Sequence, residues 1–160
     1  MSKMIIREIG DDIRPAAVNL FKGKWGSEVM VSKGKTHRAA ELAGFVAVLD
    51  DEVSGLITYE ITGGDCEIVS IDSFREGMGV GGALLKAVID AARLGGCTKV
   101  WLVTTNDNTN AMRFYQVKGF DMTQIYRNSI EHARRLKPEI PLYGCDDIPI
   151  RHEIEFSMYL

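Results

Sequence analysis

The residues best suited to bind a charged ligand lie in one glycine-rich stretch, REGMGVGGALLK, which spans residues 75–86. It contains Gly77, Gly79, Gly81 and Gly82, and the apolar run that follows indicates a loop leading into a helix. Glycines at such a point let a phosphate approach the backbone, because no Cβ stands in the way. The start of the helix adds N–H donors and partial positive charge. The stretch therefore predicts a site for the phosphates of a ligand.

Two ligand classes fit this loop, the dinucleotides and coenzyme A. Gly77, Gly79 and Gly82 match the dinucleotide pattern G-x-G-x-x-G, and Asp107 follows at a loosely suitable distance for a ribose contact. In dinucleotide sites, however, the first glycine follows directly from a strand inside an early strand–helix–strand unit. Here residues 72–76 separate that glycine from a strand predicted to end near Ile71, after a meander of antiparallel strands. The surroundings therefore favour coenzyme A.

A second candidate site lies in NDNTNAMRFYQVKGF, residues 106–120, where Asn108 and Tyr115 are seven residues apart. Seven residues are about two helical turns, so both side chains lie on one face of the helix predicted here. A phenol with a pKa near ~10 can protonate a thiolate whose conjugate acid has a pKa near ~8.5. Tyr115 is therefore a candidate general acid for a thiol leaving group. The structural alternative is a packed aromatic ring and an asparagine that caps the helix.

The two motifs together give the sequence its resemblance to a known family. The second motif has the pattern N-x-x-A-x-x-x-Y-x-x-x-G-F, and with the glycine loop at this spacing the whole chain resembles the GNAT superfamily of N-acetyltransferases. The coenzyme motif of that superfamily is Q/R-x-x-G-x-G/A. The corresponding run here is residues 76–81, in which Glu76 stands where Gln or Arg is usual. Because the family uses this loop mainly through backbone N–H groups, the glycines matter more to the resemblance than the side chain at position 76.

The resemblance implies an α/β fold, with a mixed, mostly antiparallel central sheet flanked by helices, and acetyl-CoA as co-substrate. It implies that the pyrophosphate is held by the loop residues Gly77, Met78, Gly79, Val80, Gly81 and Gly82. The strand before the loop is expected to present backbone groups to the pantetheine arm and the thioester oxygen, at Val69, Ser70 and Ile71. In the family that the chain resembles, the asparagine at the position of Asn108 contacts the coenzyme or an ordered water. Tyr115 is the expected general acid.

The general base is less clearly defined by the sequence. Glu67 and Asp65 precede the coenzyme-binding strand and share one face if that strand starts early, because side chains alternate. Glu67 is the candidate base, and a solvated charge at the strand edge is the alternative. His37 lies in an irregular segment that often covers the acceptor in this family, although a lone histidine is commonly a packing or surface residue. The branch that acetylates ribosomal-protein N-termini typically has Glu at the position matched by Val103, which disfavours that acceptor.

The elements that must position these residues follow from the apolar pattern. Strands are predicted at residues 4–9, 45–49, 53–61, 67–71 and 99–105, and in HEIEFSMYL, where Ile154, Phe156 and Met158 share one face. Helices are predicted from Ile13 to Trp25 with Asp11 or Asp12 as the cap, at 80–94 and 108–118, and in SIEHARRLK. Residues 26–42 are predicted to be irregular. This order of elements indicates one mixed sheet with helices on it.

Length and composition restrict the class of protein and its partners. At 160 residues the chain is expected to form one domain, residues 1–160, with its own core. A net charge of −3 without a basic block gives no nucleic-acid footprint, and no apolar run reaches membrane-spanning length. Cys66, Cys97 and Cys145 are odd in number and lack metal-ligand spacing. We therefore expect buried or idle thiols, no metal and a cytoplasmic location.

We predict an N-acetyltransferase that moves the acetyl group of acetyl-CoA to a primary amine of a small molecule or peptide, by direct attack of the amine on the thioester. One alternative is a non-catalytic acyl-CoA-binding module, which would share the loop and lack only a working acid and base. The other is the dinucleotide-binding enzyme. The sequence does not identify the amine, because one architecture serves many acceptors. It also leaves open whether the chain is a monomer or a homodimer.

Overall fold

The computed structural model describes residues 3–27 and 29–160, which form nine strands and four α-helices. The strands are β1 (Met4–Glu8), β2 (Val29–Ser32), β3 (Lys35–Arg38), β4 (Ala43–Leu49), β5 (Glu52–Thr62), β6 (Asp65–Ser73), β7 (Lys99–Thr105), β8 (Asp121–Tyr126) and β9 (Glu153–Tyr159). The helices are α1 (Arg14–Trp25), α2 (Val80–Leu94), α3 (Thr109–Val117) and α4 (Ser129–Leu136). Seven strands form a sheet in the order β1-β4-β5-β6-β7-β9-β8, and β2 pairs with β3 separately. This is the mixed, mostly antiparallel α/β architecture that the sequence predicts.

The chain divides into two compact units, and each is described by itself. The first contains residues 1–30, 37–100 and 160, and the second contains residues 31–36 and 101–159. In the first unit α1 packs Phe21 into an apolar cluster with Val46 and Leu56. In the second, Ile130 and Ala133 of α4 form a smaller apolar cluster with residues that include Ile150. Each unit therefore has apolar contacts that hold its own elements.

The meander β4–β5–β6 in the first unit confirms the strands expected there, with each strand somewhat longer than predicted. Its two hairpins turn through Asp50-Asp51 and Gly63-Gly64, and all four residues have positive φ, between 51° and 85°. Two central residues with positive φ match the twist of the strands they join. The tight turns keep the three strands antiparallel and bring β6 next to β5.

Helix α2 begins and ends where the sequence predicts and packs closely on β5 in the first unit. Its buried side chains are Val80, Leu84, Leu85, Val88 and Ala92. A Cβ on Gly55 of β5 would overlap Val80 and would lie 2.9 Å from Leu84 Cδ1. Gly55 therefore sets how closely the first turn of α2 approaches the sheet.

Two local expectations in the N-terminal part were wrong. Helix α1 has Ile13 as its N-cap with no capping side chain, because the carboxylate of Asp12 is instead paired with Arg7 at 2.7 Å. Residues 26–42, expected to be irregular with room for one short helix, contain a short 3-10 helix at Ala39–Glu41 but also the hairpin β2–β3. The turn residues of the hairpin, Lys33 and Gly34, have φ of 49° and 76°. The strands of this hairpin have only four residues each, too few to give a clear alternating pattern.

The second unit contains a strand that the apolar pattern does not reveal. Strand β8 pairs with β9, but five of its six residues are exposed, so it has no buried face. Strand β9 was predicted to bury one face. Instead it buries both, and the polar face consists of Glu153, Glu155 and Ser157. Buried carboxylates in a strand require polar or cationic partners, which sequence alternation does not identify.

The three thiols differ in exposure. Cys66 and Cys97 are buried as expected, whereas Cys145 is exposed. Burial, together with the nearby Cys97 and Glu67, raises the pKa of the Cys66 thiol to about 12. The thiolate is the reactive form, so Cys66 is unreactive near neutral pH.

No helix within residues 3–27 and 29–160 is both long and apolar enough to span a membrane.

Replacing Gly55 by Ala is expected to lower the free energy of unfolding by about 1–3 kcal/mol, because the added methyl group forces α2 away from β5. Urea denaturation measures this change. Gly23→Ala is the matched control, since Gly23 lies inside α1 with nothing within 4 Å of an added Cβ. That control is expected to gain about 0.5–1 kcal/mol of stability. A Gly55→Ala protein as stable as the wild type would contradict the close packing of α2.

Candidate functional site

The glycine loop forms the start of α2 in the first unit and leaves its amides exposed to a ligand. Gly77 and Gly79 both have φ of 74°, a conformation that a side chain disfavours, and Gly79 is the N-cap. The N–H of Ala83 donates to the carbonyl of Gly79 at 3.1 Å. The amides of residues 80–82 therefore precede the first intrahelical bond, as helix geometry requires. No acidic residue lies in this first turn, so the turn is suited to an anion.

The loop also exposes apolar side chains, which proteins usually bury or use to bind ligands. Phe74 is 39% exposed and Met78 is 38% exposed, on either side of Gly77. The loop is anchored at its start, where the N–H of Phe74 donates to the carbonyl of Ser54 at 2.8 Å. Glu76, the departure from the family motif, is exposed as well. An anion-binding turn flanked by exposed apolar groups fits a ligand that is part phosphate and part hydrocarbon.

Strand β6 leads into the loop and contains a bulge that the sequence does not reveal. Thr58 of β5 pairs with Ser70, whereas the next residue, Tyr59, pairs with Ile68, so Val69 is an extra residue in β6. A bulge leaves the extra residue outside the ladder and bends the strand. The hydroxyls of Thr58 and Ser70 lie 2.6 Å apart and fix the register beside the bulge. The bulge falls within residues 69–71, where the family resemblance implies backbone contacts to the pantetheine arm and the thioester oxygen.

The candidate base Glu67 is buried and faces a histidine. Glu67 is 6% exposed and lies directly opposite Glu60 in the β5–β6 register. His37 is 3% exposed, with Nδ1 3.1 Å from Glu60 Oε2 and Nε2 3.5 Å from Glu67 Oε1. Two carboxylates opposite each other repel unless a cation or donor lies between them. Glu67 is therefore not a solvated strand-edge charge, and His37 is a buried bridge between two carboxylates.

The tautomer of the His37 ring decides the direction of these two contacts. A neutral imidazole donates from one nitrogen and accepts at the other, so a ring that donates from Nδ1 to Glu60 leaves Nε2 as an acceptor facing Glu67. The sequence marked Glu67 and His37 separately, and their pairing depends on strand β3, which the apolar pattern did not reveal.

The second motif lies in the second unit, on α3. Asn108 is the N-cap residue but makes no capping hydrogen bond, so the capping alternative for its side chain fails. Tyr115 is 6% exposed, and its ring packs against Phe114, Phe120 and Phe156 at centroid distances of 5.5, 6.0 and 5.7 Å. Gly119 ends the helix with φ of 98°, and Phe120 is buried after it, as expected. The aromatic packing holds the Tyr115 ring in one orientation.

The dinucleotide alternative does not fit the structure. Its acidic residue, Asp107, is 5% exposed and accepts hydrogen bonds from the Thr105 hydroxyl and the backbone N–H of Cys145. The carboxylate is therefore engaged inside the second unit and is not available to a ribose. The strands before the glycine loop are antiparallel, whereas a dinucleotide fold needs parallel strands joined by a helix.

A buried acid next to the loop was missed by the sequence analysis. Asp72, the residue after Ile71 in β6, is 5% exposed and accepts a hydrogen bond from the indole N–H of Trp25 at 2.8 Å. Burial raises the pKa of Asp72, although the Trp25 hydrogen bond and nearby Lys24 oppose that shift. The partner lies 47 positions away in α1, so only the folded chain brings the two side chains together.

No group of three or more His, Cys, Asp and Glu side chains within the described ranges is arranged to hold a metal ion. In the first unit, Glu67, the bulge at Val69 and the glycine loop lie along one continuous segment, residues 67–82. Asn108 and Tyr115 belong to the second unit. The first unit therefore contains the first turn of α2, the bulged strand β6 and the carboxylate of Glu67 beside His37.

Comparison with known proteins identifies one family for this chain. A model of the Acetyltransferase (GNAT) family matches residues 10–120, which include the glycine loop and the second motif. The uncharacterized protein YdhI of Bacillus subtilis (strain 168) is 43% identical over 155 residues, covering 96% of this chain and 97% of the relative.

Solved structures give the same fold at low sequence identity. The IAA acetyltransferase from Bacillus cereus ATCC 14579 has a TM-score of 0.75 and 20% identity, over 99% of this chain and 100% of that one. A GNAT family acetyltransferase from Elizabethkingia anophelis, with acetyl-CoA bound, has a TM-score of 0.72 and 19% identity, over 98% of each chain. At such identities the similarity establishes the fold of the chain and not its substrate.

Replacing Asp72 by Asn is expected to stabilise the protein near pH 7. Because the folded-state pKa of Asp72 is raised, the folded protein holds its proton more tightly, and stability falls as pH rises from the unfolded pKa through the folded one. Asn keeps an oxygen for the Trp25 N–H and carries no charge. Urea denaturation from pH 3 to pH 8 should show the gain at neutral pH and its loss in acid. Asp121→Asn, on the exposed strand β8, is the control; a less stable Asp72→Asn protein at pH 7 would refute the argument.

Proposed function

Because this chain belongs to the GNAT acetyltransferase family, we propose that it transfers the acetyl group of acetyl-CoA to a primary amine. The observation that carries the proposal is the glycine loop at the start of α2, with positive φ at Gly77 and Gly79 and no acidic residue in the first turn. The proposal takes residues 1–160 as one catalytic domain.

The loop is proposed to hold the coenzyme by its pyrophosphate. The amides of Gly77, Met78 and Gly79 and of residues 80–82 are available as donors, and the helix dipole adds positive potential. Phe74 and Met78 are proposed to contact apolar parts of the coenzyme, which accounts for their exposure. Glu76 opposes an anion electrostatically, but its exposed carboxylate is screened by water.

Strand β6 is proposed to orient the thioester. The bulge at Val69 interrupts the ladder to β5, so the backbone of Val69, Ser70 and Ile71 is the part of the strand suited to bind pantetheine. A backbone N–H aimed at the thioester oxygen would stabilise the negative charge that forms there during attack. The Ser70 hydroxyl is engaged with Thr58, so its proposed role is through the backbone.

The chemical step is proposed as direct transfer. The neutral amine attacks the thioester carbon, the carbon–sulfur bond breaks, and the thiolate takes a proton from the hydroxyl of Tyr115. The proton that the attacking nitrogen loses as it becomes an amide then restores the Tyr115 hydroxyl through solvent. The aromatic packing of Tyr115 fixes the phenol, and Asn108, whose side chain makes no capping bond, is proposed to contact the coenzyme or a water.

Glu67 is proposed to receive the proton of the acceptor ammonium. It is buried, and His37 Nε2 lies 3.5 Å from its Oε1, close enough to take the proton on from it. Glu60 stabilises the charged ring from the other side at 3.1 Å. His37 is therefore a positioning residue in this proposal, and Glu67 is the base.

A thiol-release screen against small-molecule and peptide amines tests the activity. Release of coenzyme A that depends on both acetyl-CoA and an amine supports the enzyme, whereas acetyl-CoA binding without release would support the non-catalytic acyl-CoA-binding module. The exposed Cys145 would itself react with thiol reagents, so the screen uses Cys145→Ser protein.

Replacing Gly79 by Ala is expected to weaken acetyl-CoA binding at least about tenfold, because a side chain at this positive-φ position strains the turn and crowds the pyrophosphate. Gly96→Ala is the matched control at the other end of α2, where φ is 75° and an added Cβ also meets nothing within 4 Å. Both changes should cost about 1–2 kcal/mol of stability. Calorimetric titration that finds equal weakening in both variants would exclude a coenzyme site at Gly79.

Replacing Tyr115 by Phe is expected to lower kcat about 100-fold or more while acetyl-CoA binding stays unchanged, because the acidic hydroxyl is lost and the ring is kept. Phe preserves the ring contacts with Phe120 and Phe156. Tyr143→Phe, at an exposed tyrosine of the same unit, should have wild-type kcat. Full activity of the Tyr115→Phe enzyme would remove Tyr115 from the role of acid.

Replacing Glu67 by Gln is expected to lower kcat/KM about 100-fold and to flatten the acidic limb of the pH–rate profile, because the base is lost. Glu60→Gln is the matched control, since it changes the other carboxylate on the same histidine. That variant should retain the acidic limb. Identical profiles for the two variants would show that the pair is structural only.

A further inference from the structure

A lysine ammonium lies in a cage of aromatic and acidic side chains in the second unit. Lys33 Nζ is 3.0 Å from Glu155 Oε1, 4.6 Å from the Trp101 ring centroid and 5.0 Å from the Tyr126 ring centroid. Aromatic faces and a carboxylate around one nitrogen are the groups that proteins use to bind alkylammonium ligands. The cage is defined here as Trp101, Tyr126, Glu153 and Glu155.

Two carboxylates contact Lys33, Glu155 through the ammonium and Glu153 through the backbone N–H. Glu155 accepts a hydrogen bond from the Tyr126 hydroxyl at 2.8 Å in addition to the Lys33 contact. Glu153 is 3% exposed; its Oε2 accepts the backbone N–H of Lys33 at 3.2 Å. The other oxygen, Glu153 Oε1, is buried without a hydrogen-bond partner. A buried carboxylate oxygen without a partner is costly, so a structural ion pair alone does not explain why Glu153 lies here.

Lys33 itself separates the cage from solvent. Its side chain is 34% exposed, whereas that of Glu155 is 8% exposed. Burial acts to lower the pKa of Lys33, but hydrogen bonds to Tyr126 and Glu155 outweigh it and raise that pKa, so the ammonium form is favoured. Lys33 sits at φ of 49° in the two-residue turn of β2–β3. The ammonium lies at the end of a flexible four-carbon side chain, so it can leave the cage by side-chain rotation while the turn stays in place.

We propose that the cage is a cation-binding site which Lys33 fills from within the chain, and which takes the alkylammonium group of a ligand when Lys33 moves out. A ligand with a second donor would also satisfy Glu153 Oε1, which Lys33 leaves without a partner. Lys33 and the cage residues all belong to the second unit, so the proposed cation site does not depend on acetyl transfer.

Lys33→Gly opens the cage, and glycine suits the positive φ of this position, so the variant is expected to fold. The probe is n-butylammonium chloride, which reproduces the four carbons and the nitrogen of the missing side chain. Fluorescence of Trp101 and thermal shift follow binding, with n-butanol as the uncharged control and sodium chloride at matched ionic strength. The Lys33→Gly protein should bind the probe at least about tenfold more tightly than the wild type, in which tethered Lys33 competes.

Two further variants locate the binding. Glu155→Gln combined with Lys33→Gly should remove the gain in affinity, because the carboxylate that contacts the ammonium is lost. Lys118→Ala is the matched control, since Lys118 Nζ lies 5.8 Å from the single ring of Phe114; this change should create no site. The proposal is overturned if Lys33→Gly binds the probe no more tightly than the wild type. It is equally overturned if n-butanol binds as well as the cation, or if Glu155→Gln leaves the gain intact.

Discussion

The close approach of α2 to β5 at Gly55 is the contact on which the candidate site depends. Because Gly55 has no side chain, Val80 and Leu84 pack directly against β5. The first turn of α2 therefore lies close to the sheet. The same first turn carries the amides of the glycine loop, and β6, which leads into the loop, pairs with β5. The packing of one helix on one glycine therefore fixes the position of the loop within the first unit.

Buried carboxylates form a second theme, and in each unit a basic side chain lies beside them. In the first unit His37 of β3 lies between Glu60 and Glu67. In the second, Lys33 in the turn meets Glu155. Burying such charges is unfavourable unless partners are present. We propose proton transfer for the first carboxylate group and cation binding for the second.

Much of the fold and part of the site could be predicted because the signals are local. Helix α2 and strand β7 have the predicted bounds, since long apolar patterns and terminal glycines mark their ends. The glycine loop and the Asn108–Tyr115 pair were visible as spacing alone. The hairpin β2–β3 and strand β8 were not predicted, because short or exposed strands bury no regular face. The Asp11 or Asp12 cap was wrong because Arg7 competes for Asp12.

The sequence by itself determined the family, the glycine-rich start of α2 and the residue types that the proposed acyl transfer needs, because those properties depend on local backbone freedom and on chemistry. Only the tertiary structure decided which side chains meet. The Val69 bulge, the His37 bridge, the Trp25–Asp72 bond and the Lys33 cage all join residues from separate elements. Their partners are chosen by strand register and helix packing, which one chain segment cannot specify alone.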